Sequence, residues 1–303
     1  MLKVLKKHWL IIGILIVVIG YIVYSCFQFI ENQEKISQFT EEKIQYCESD
    51  SVATNEIEFC EHYLQTMEKE KNLKVDFFSM MTDILIFQLH FLNPVAFLLL
   101  IIPTLPVLCK LLKNRWILFC STRESYNSFI KKFFKCAYRY IWLLPFIAAV
   151  LILICMSYGT FDPAYGLYFG SIIWESNIIY HPILFILLYL LNITLYSSIF
   201  INLSLIVVRK CHHYIKAILL SYIMYLGLEL FLEVVVNAIV LQGIFKTSIG
   251  HIFNVMNLFM FNDIYGVPAL MLFTVCMWIL SIIGVYFSYR NKESLILDCE
   301  KNE

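Results

Sequence analysis

Charge is scarce in this chain. Charged residues make up 15% of its 303 residues, and hydrophobic residues make up 60%. An ordinary soluble domain carries about 25% charged residues. A soluble fold of this length could not cover so much apolar surface. The composition therefore excludes a soluble globular protein and predicts an integral membrane protein.

Several catalytic signatures are also missing. The HExxH pattern of zinc proteases and the GxSxG pattern of serine hydrolases do not occur. No glycine-rich loop ends in Gly-Lys-Ser or Gly-Lys-Thr, so the chain cannot hydrolyse a nucleotide through a P-loop. The sequence shows no nucleophile or metal set for hydrolysis within a membrane. We therefore expect no catalytic residues, no metal site and no cofactor in this chain.

What the sequence does contain is six long apolar runs. About 20 apolar residues in a helix cross a bilayer core of about 30 Å. The first run is too long for a cleaved signal peptide and is followed by no small-residue cleavage site. The pattern predicts an all-α polytopic membrane protein with six transmembrane helices, near residues 8–30, 92–109, 140–158, 181–208, 217–242 and 267–289.

The charges between these runs alternate in sign. Segment 30–77 holds twelve Asp and Glu against five Lys, a balance of −7. Segment 110–139 holds eight Lys and Arg and one acid, and segment 159–180 holds no Lys or Arg. Basic loops stay in the cytoplasm during insertion. Both termini are therefore predicted to be cytoplasmic.

This topology divides the chain into consecutive parts. Residues 78–91 are apolar but contain polar side chains, so they predict an amphipathic helix on the outer surface, or else one long helix bent at Pro94. The predicted parts are an N-terminus and first span (1–29), a small extracellular helical insertion (30–77), an interfacial helix and second span (78–113), a cytoplasmic helix (114–139), four further spans (140–289) with an outer re-entrant segment (244–266), and a cytoplasmic tail (290–303).

Two of the ten cysteines stand apart. Cys47 and Cys60 are the only cysteines of the predicted outer insertion and lie thirteen residues apart. A disulfide between them would close a short loop, for an idealised gain of about 3 kcal/mol. The alternative is two free thiols, favoured where the exterior is not strongly oxidising.

The fifth span contains a polar pattern at helical spacing. Glu229, Glu233 and Asn237 recur every four residues, which in an α-helix predicts one face. A carboxylate in mid-membrane costs about 2.5–3.5 kcal/mol, so such a face is not expected to meet lipid. One interpretation is the lining of a transport route. The other is a packing face bonded to the polar side chains of span four: Asn192, Thr194, Tyr196, Ser197, Ser198 or Asn202.

The basic loop between spans two and three predicts an amphipathic helix on the inner membrane surface. Ser121 or Thr122 can cap a helix that starts at Arg123, with Glu124 in its first turn. An apolar stripe then follows beside several lysines: Phe129, Ile130, Phe133 and Phe134. The simpler interpretation is a basic segment that holds anionic membrane lipid.

Together these features resemble the permease subunit of bacterial type-two ABC exporters. The resemblance rests on six spans, a short basic N-terminus, an inner helix beginning Arg-Glu and an apolar outer stretch before the last span. In that family the inner helix is a coupling helix seated in a groove of an ATPase subunit. The Gly-Thr often found after the coupling-helix Glu is missing here.

The resemblance implies partners and site residues. It implies ATPase coupling by Arg123, Glu124, Tyr126, Phe129 and Lys131, and a translocation path lined by Glu229, Glu233 and Asn237. ATP and Mg would bind in a separate ABC ATPase subunit, and a second permease copy or paralogue would complete the transporter. The implied location is the bacterial cytoplasmic membrane. Peptide, antibiotic or another amphiphile is the implied cargo; membrane lipid is a further partner, and nucleic acid is not.

Two other functions remain open from the sequence. A gradient-driven transporter or channel could use Glu229 and Glu233 and would need no ATPase. A non-transporting membrane sensor, immunity protein or assembly factor could be built around the outer segment 30–77.

Overall fold

The computed structural model is all-α and polytopic. It describes residues 2–48, 60, 76–85, 92–113, 125–161, 180–211, 213–246, 267–293 and 295–296. Within those ranges six helices are long and apolar enough to cross a membrane, which confirms the predicted fold class. The third of them, Tyr126–Tyr158, includes the predicted cytoplasmic helix as well as the apolar run that follows it.

Eight α-helices are described. In chain order they are α1 (Leu2–Glu48), α2 (Phe77–Asp83), α3 (Leu92–Lys113), α4 (Tyr126–Ala137), α5 (Leu143–Tyr158), α6 (Pro182–Lys210), α7 (Tyr214–Leu230) and α8 (Val267–Tyr289). A 3₁₀ turn, Tyr138–Tyr140, joins α4 to α5, and α7 continues as a π-helix over Phe231–Ile244.

Helix α6 is the centre of the bundle. It contacts α3, α5, α7 and α8, and sixteen of its side chains are buried. Its start is favoured by Pro182, because proline at the first helical position loses no helical hydrogen bond. Its end carries Arg209 and Lys210, whose charges complement the helix dipole. The sequence therefore defines both ends of the helix on which the other spans pack.

Helix α3 has two prolines in its interior, Pro103 and Pro106. Pro106 lacks the N–H that would otherwise donate to the carbonyl of Ile102, four residues earlier. The hydroxyl of Tyr214, at the start of α7, donates to that carbonyl at 3.3 Å. A backbone group freed by proline must find another donor in a bilayer, and here the neighbouring helix supplies it.

Helix α1 continues well beyond the first span. Its 47 residues correspond to about 70 Å at 1.5 Å per residue, more than twice the hydrocarbon thickness. It packs on α5, with Ile22, Ser25 and Cys26 buried at the contact. A disulfide joins Cys47, near its end, to Cys60, with the two Cα atoms 5.2 Å apart. The first part of the predicted outer insertion is thus a continuation of the first transmembrane helix.

The short helix α2 is covered by protein. The backbone N–H of Phe77 donates to the carbonyl of Thr160 at 2.7 Å. The carboxylate of Asp76 accepts from the backbone N–H of Phe78 at 2.9 Å. Six apolar side chains of segment 77–85 are buried: Phe77, Phe78, Met80, Met81, Ile84 and Leu85. The described part of the predicted interfacial helix therefore packs into the bundle, and residues 86–91 lie outside the described residues. The predicted re-entrant segment 244–266 is described only as far as Lys246.

Gly159 allows α2 to approach the end of α5. A Cβ atom at this position would lie 2.7 Å from the Cα of Phe77 and 2.8 Å from its backbone nitrogen. Real Cβ atoms do not come so close to backbone, so an alanine here would push α2 away. The glycine thus fixes the distance between these two segments.

We expect Gly159→Ala to lower stability by about 1–3 kcal/mol, the usual effect of overpacking a well-packed contact. The thermal unfolding midpoint of the full-length chain in detergent measures this. Gly227→Ala is the matched control, because a Cβ there meets nothing within 4 Å. An equal loss in both variants would contradict the close-approach explanation.

Candidate functional site

The amphipathic helix α4 is the first element of the candidate site. It starts at Tyr126, and Ser125 is its N-cap, accepting a hydrogen bond from the N–H of Ser128. The prediction that Ser121 or Thr122 caps a helix starting at Arg123 does not describe this helix, whose cap lies further along the chain. Arg123 and Glu124 themselves lie outside the described residues.

Helix α4 has an apolar face and a basic face. Phe129, Phe133 and Ala137 are buried, and Ile130 and Phe134 are half-buried, so the predicted apolar stripe is present. The basic face presents three exposed lysines: Lys131, Lys132 and Lys135. Of the residues predicted to couple to an ATPase, Lys131 is therefore accessible, Tyr126 is half-buried and Phe129 is buried against the protein.

The apolar face of α4 is attached to the end of α8 and to α3. The rings of Phe133 and Phe134 lie 5.5 Å and 5.6 Å from the ring of Tyr289, measured between centroids. The hydroxyl of Tyr126 donates to the carbonyl of Tyr289. Helix α4 also contacts α3. Because the contact with α8 is aromatic and buried, a displacement of α4 would be transmitted to α8, and the contact with α3 offers a second route.

A buried polar network lies next to the contact between α4 and α8. The hydroxyl of Tyr138 donates to the side-chain oxygen of Asn202, and the Asn202 amide donates to Ser281 at 2.8 Å. The indole of Trp278 donates to Ser198 at 2.9 Å. The network links the 3₁₀ turn, α6 and α8. Every one of these bonds crosses between elements, so it fixes their relative rotation.

This network accounts for part of the row of polar residues on α6. Ser198 and Asn202 were candidate partners for the carboxyl groups of span five, but they bond to α8 and the 3₁₀ turn instead. Thr194 and Ser197 donate to carbonyls of their own helix, at Leu190 and Ile193. These partners could not be predicted from spacing, because a serine or asparagine in a span has the same spacing whichever helix it faces.

The three polar residues of span five differ in exposure. Glu229 and Asn237 are buried, whereas Glu233 is exposed. The helix changes from α to π between Glu229 and Glu233. A π-helix bonds residue i to i+5, so its turns are slightly wider than those of an α-helix, and side chains four residues apart remain neighbours. The residues predicted to share one face are therefore adjacent along the helix, with Glu233 on its exposed side.

A side-chain ladder follows the π-helix. The amide of Asn237 donates to the carboxylate of Glu233 at 3.3 Å, and the amide of Gln242 donates to the oxygen of Asn237 at 3.1 Å. Glu233 and Gln242 lie on the exposed side of a span of which only 22% is buried. A row of polar groups on such a surface is costly against lipid. This surface is suited to a second protein chain or to a water-filled path.

Glu229 faces the interior of the bundle. It lies close to the phenols of Tyr196, in α6, and Tyr225, in α7. The ring of Tyr225 is stacked on Phe97 of α3, with 4.8 Å between centroids, and contacts Phe200 of α6. Within the described part of the chain, the Tyr225 hydroxyl is buried and has no hydrogen-bond partner. Glu229 thus lies beside two phenols, one from its own helix and one from α6.

The described residues contain no group of three or more His, Cys, Asp or Glu side chains arranged to hold a metal ion. The architecture defines the chain as a six-span, all-α membrane protein. No protein-family model, curated protein or solved structure matches it. The features that bear on function are therefore α4, the polar network and the polar residues of span five.

Proposed function

We propose that this chain is the transmembrane permease subunit of an ATP-driven exporter. It would move a peptide, an antibiotic or another amphiphile across the bacterial cytoplasmic membrane, together with a separate ABC ATPase subunit. The observation that carries the proposal is helix α4. It packs on α8 through an aromatic face and also contacts α3, while its lysines remain exposed. Such a helix can receive force on one side and deliver it to two spans on the other.

The charge distribution supports this orientation. The loops next to α4 are rich in Lys and Arg, which favours the cytoplasmic side, where ATP is available. Closure of two ATPase subunits around ATP would move α4 and, through it, α3 and α8. A reorientation of these spans would open the route to alternate sides of the membrane. In this scheme ATP and Mg are bound by the partner.

The peripheral spans support a second permease copy or paralogue. In α1 only 17% of the most apolar window is buried, and in α7 only 22%, against 61% in α3. The exposed side of α7 carries Glu233 and Gln242. A second permease packed beside α1 and α7 would remove these groups from lipid. The cargo route would then run along the polar ladder of the π-helix.

The gradient-driven alternative has its own supporting observation. Glu229 is buried in mid-bundle beside two tyrosines, an arrangement suited to holding a proton or a cation. A protein that works in this way needs no ATPase. Transport by the purified chain alone, in vesicles with only an ion gradient, would favour this alternative over the exporter.

The exporter proposal is tested by association. The full-length chain, purified from membranes of its own host in mild detergent, is expected to carry a subunit that contains a P-loop and hydrolyses ATP. Reversing charge at the lysines of α4 (K131E, K132E and K135E together) or at the preceding pair (R123E with E124R) should abolish that association. Lys110→Glu is the matched control, since Lys110 is exposed on α3 outside this face.

Two outcomes would overturn the proposal. One is an unchanged ATPase association in both charge-reversal variants. The other is labelling that places residues 125–135 on the outer side of the cell membrane, where no ATP-binding subunit could reach them.

A further inference from the structure

A groove between α4, α6 and α8 has a chemistry that the exporter proposal does not use. It encloses about 580 Å³, which is within the range of small-molecule sites in proteins. Its walls include Ile130 and Phe134 of α4 and Ile282 and Val285 of α8. These side chains make most of the groove apolar. It is therefore suited to a hydrocarbon chain.

The deep end of the groove offers few free polar groups. Tyr138 and Asn202 line it, but they bond to each other, and the Asn202 amide also bonds to Ser281. A polar ligand entering here would lose its bonds to water and gain little in return, which is costly. The deep end therefore selects an apolar ligand group.

The opposite end of the groove carries a cation. Arg290 is exposed and follows Tyr289, the last residue of α8, so it lies where a span reaches the headgroup region. None of the lining residues is an Asp or Glu. Guanidinium groups bind phosphate well because their N–H donors form a rigid fork. Two more lining residues, Tyr126 and Tyr286, are of the type enriched at membrane–water boundaries.

We propose that this groove binds one anionic phospholipid from the adjacent leaflet. An acyl chain lies between α4 and α8, and the phosphate is held by Arg290. This ligand is complementary to the groove, because its acyl chain matches the apolar end and its phosphate matches the cation at the other end, next to the membrane boundary. The lipid would fill the space between α4 and α8 and stabilise their contact. This inference does not depend on the exporter proposal.

The test measures lipid binding to the purified full-length chain. After delipidation, native mass spectrometry and the thermal midpoint are followed during addition of phosphatidylglycerol, phosphatidylcholine or glycerol phosphate. We expect phosphatidylglycerol to bind tightly and to raise the midpoint, with little effect of the other two. One Lys or Arg near an anionic lipid surface contributes about 1 kcal/mol, so Arg290→Gln should weaken phosphatidylglycerol binding about fivefold.

Two further variants separate the groove from general lipid binding. Ile282→Trp would fill the slot from a partly exposed position and should abolish binding of the single lipid. Lys292→Gln is the control, because Lys292 is an exposed cation two residues beyond Arg290 that does not line the groove. The inference is overturned if phosphatidylcholine binds equally well, if glycerol phosphate alone reproduces the effect, or if Arg290→Gln and Lys292→Gln behave alike.

Discussion

Phe133→Ala is expected to lower the free energy of unfolding by about 3–5 kcal/mol, the usual loss for a buried phenylalanine. Phe133 is only 1% exposed and contacts the rings of Phe129, Phe134 and Tyr289. Its removal leaves a cavity between α4 and α8. Because α4 is the proposed coupling element, the variant should also lose ATPase association even where most of the chain remains folded.

The measurement is chemical unfolding in mixed micelles, paired with co-purification of the ATPase. Phe146→Ala is the matched control, since Phe146 is 43% exposed on α5 and should lose much less stability. Equal losses of unfolding free energy in the two variants would mean that the aromatic contacts between α4 and Tyr289 add no stability beyond that of an exposed phenylalanine. Normal ATPase association of Phe133→Ala would argue that α4 is not the coupling element.

Glu233→Cys is expected to react with a water-soluble, membrane-impermeant maleimide at least about tenfold faster than a lipid-facing cysteine at similar depth. Thiol modification requires the thiolate and access of the reagent, and both are suppressed in hydrocarbon. Glu233 is exposed on the π-helix and belongs to the polar ladder with Asn237 and Gln242. If this ladder lines a translocation path, water reaches it.

The control is Leu280→Cys, because Leu280 is 60% exposed near the middle of α8. Both variants are made in a background in which the native cysteines outside the Cys47–Cys60 disulfide are replaced by serine. Labelling is measured in sealed vesicles with and without ATP and the partner subunit. Equally slow labelling of both positions would show that Glu233 is shielded from water, and the assigned path would fail.

The spans could be predicted from the sequence because their signal is a length. A helix must supply about 20 apolar residues to cross the bilayer, and six runs do so whatever their packing. The apolar stripe of α4 was predictable for a similar reason, since Phe129 and Phe133 repeat at helical spacing. The prediction placed this stripe on the inner membrane surface, whereas Phe129 and Phe133 are buried against the bundle.

Local chemistry was harder to predict where several residues could serve equally well. Ser121, Thr122 and Ser125 are all acceptable helix caps, and α4 uses Ser125. The polar residues of α6 could have faced any neighbour, and Asn202 bonds to Tyr138 and Ser281 only because the helices pack in that order. Such choices are made by tertiary structure.

The change of helix type in α7 had no counterpart in the sequence. Glu229 lies in the α-helical part of this span and Glu233 in the π-helical segment, Phe231–Ile244. Glu229 is buried in the bundle, whereas Glu233 is exposed on its surface. Two acids expected to act together are thus assigned to different environments, and they can be tested separately.

The length of α1 has a mechanical consequence. Residues 31–48 of this unbroken helix follow the predicted first span and extend for about 27 Å, and the Cys47–Cys60 disulfide joins their far end to Cys60. Because the helix is continuous and packs on α5, a sideways force at this far end would tilt the whole helix about its buried residues Ile22 and Cys26. Such a force would reach α5 through α1 itself.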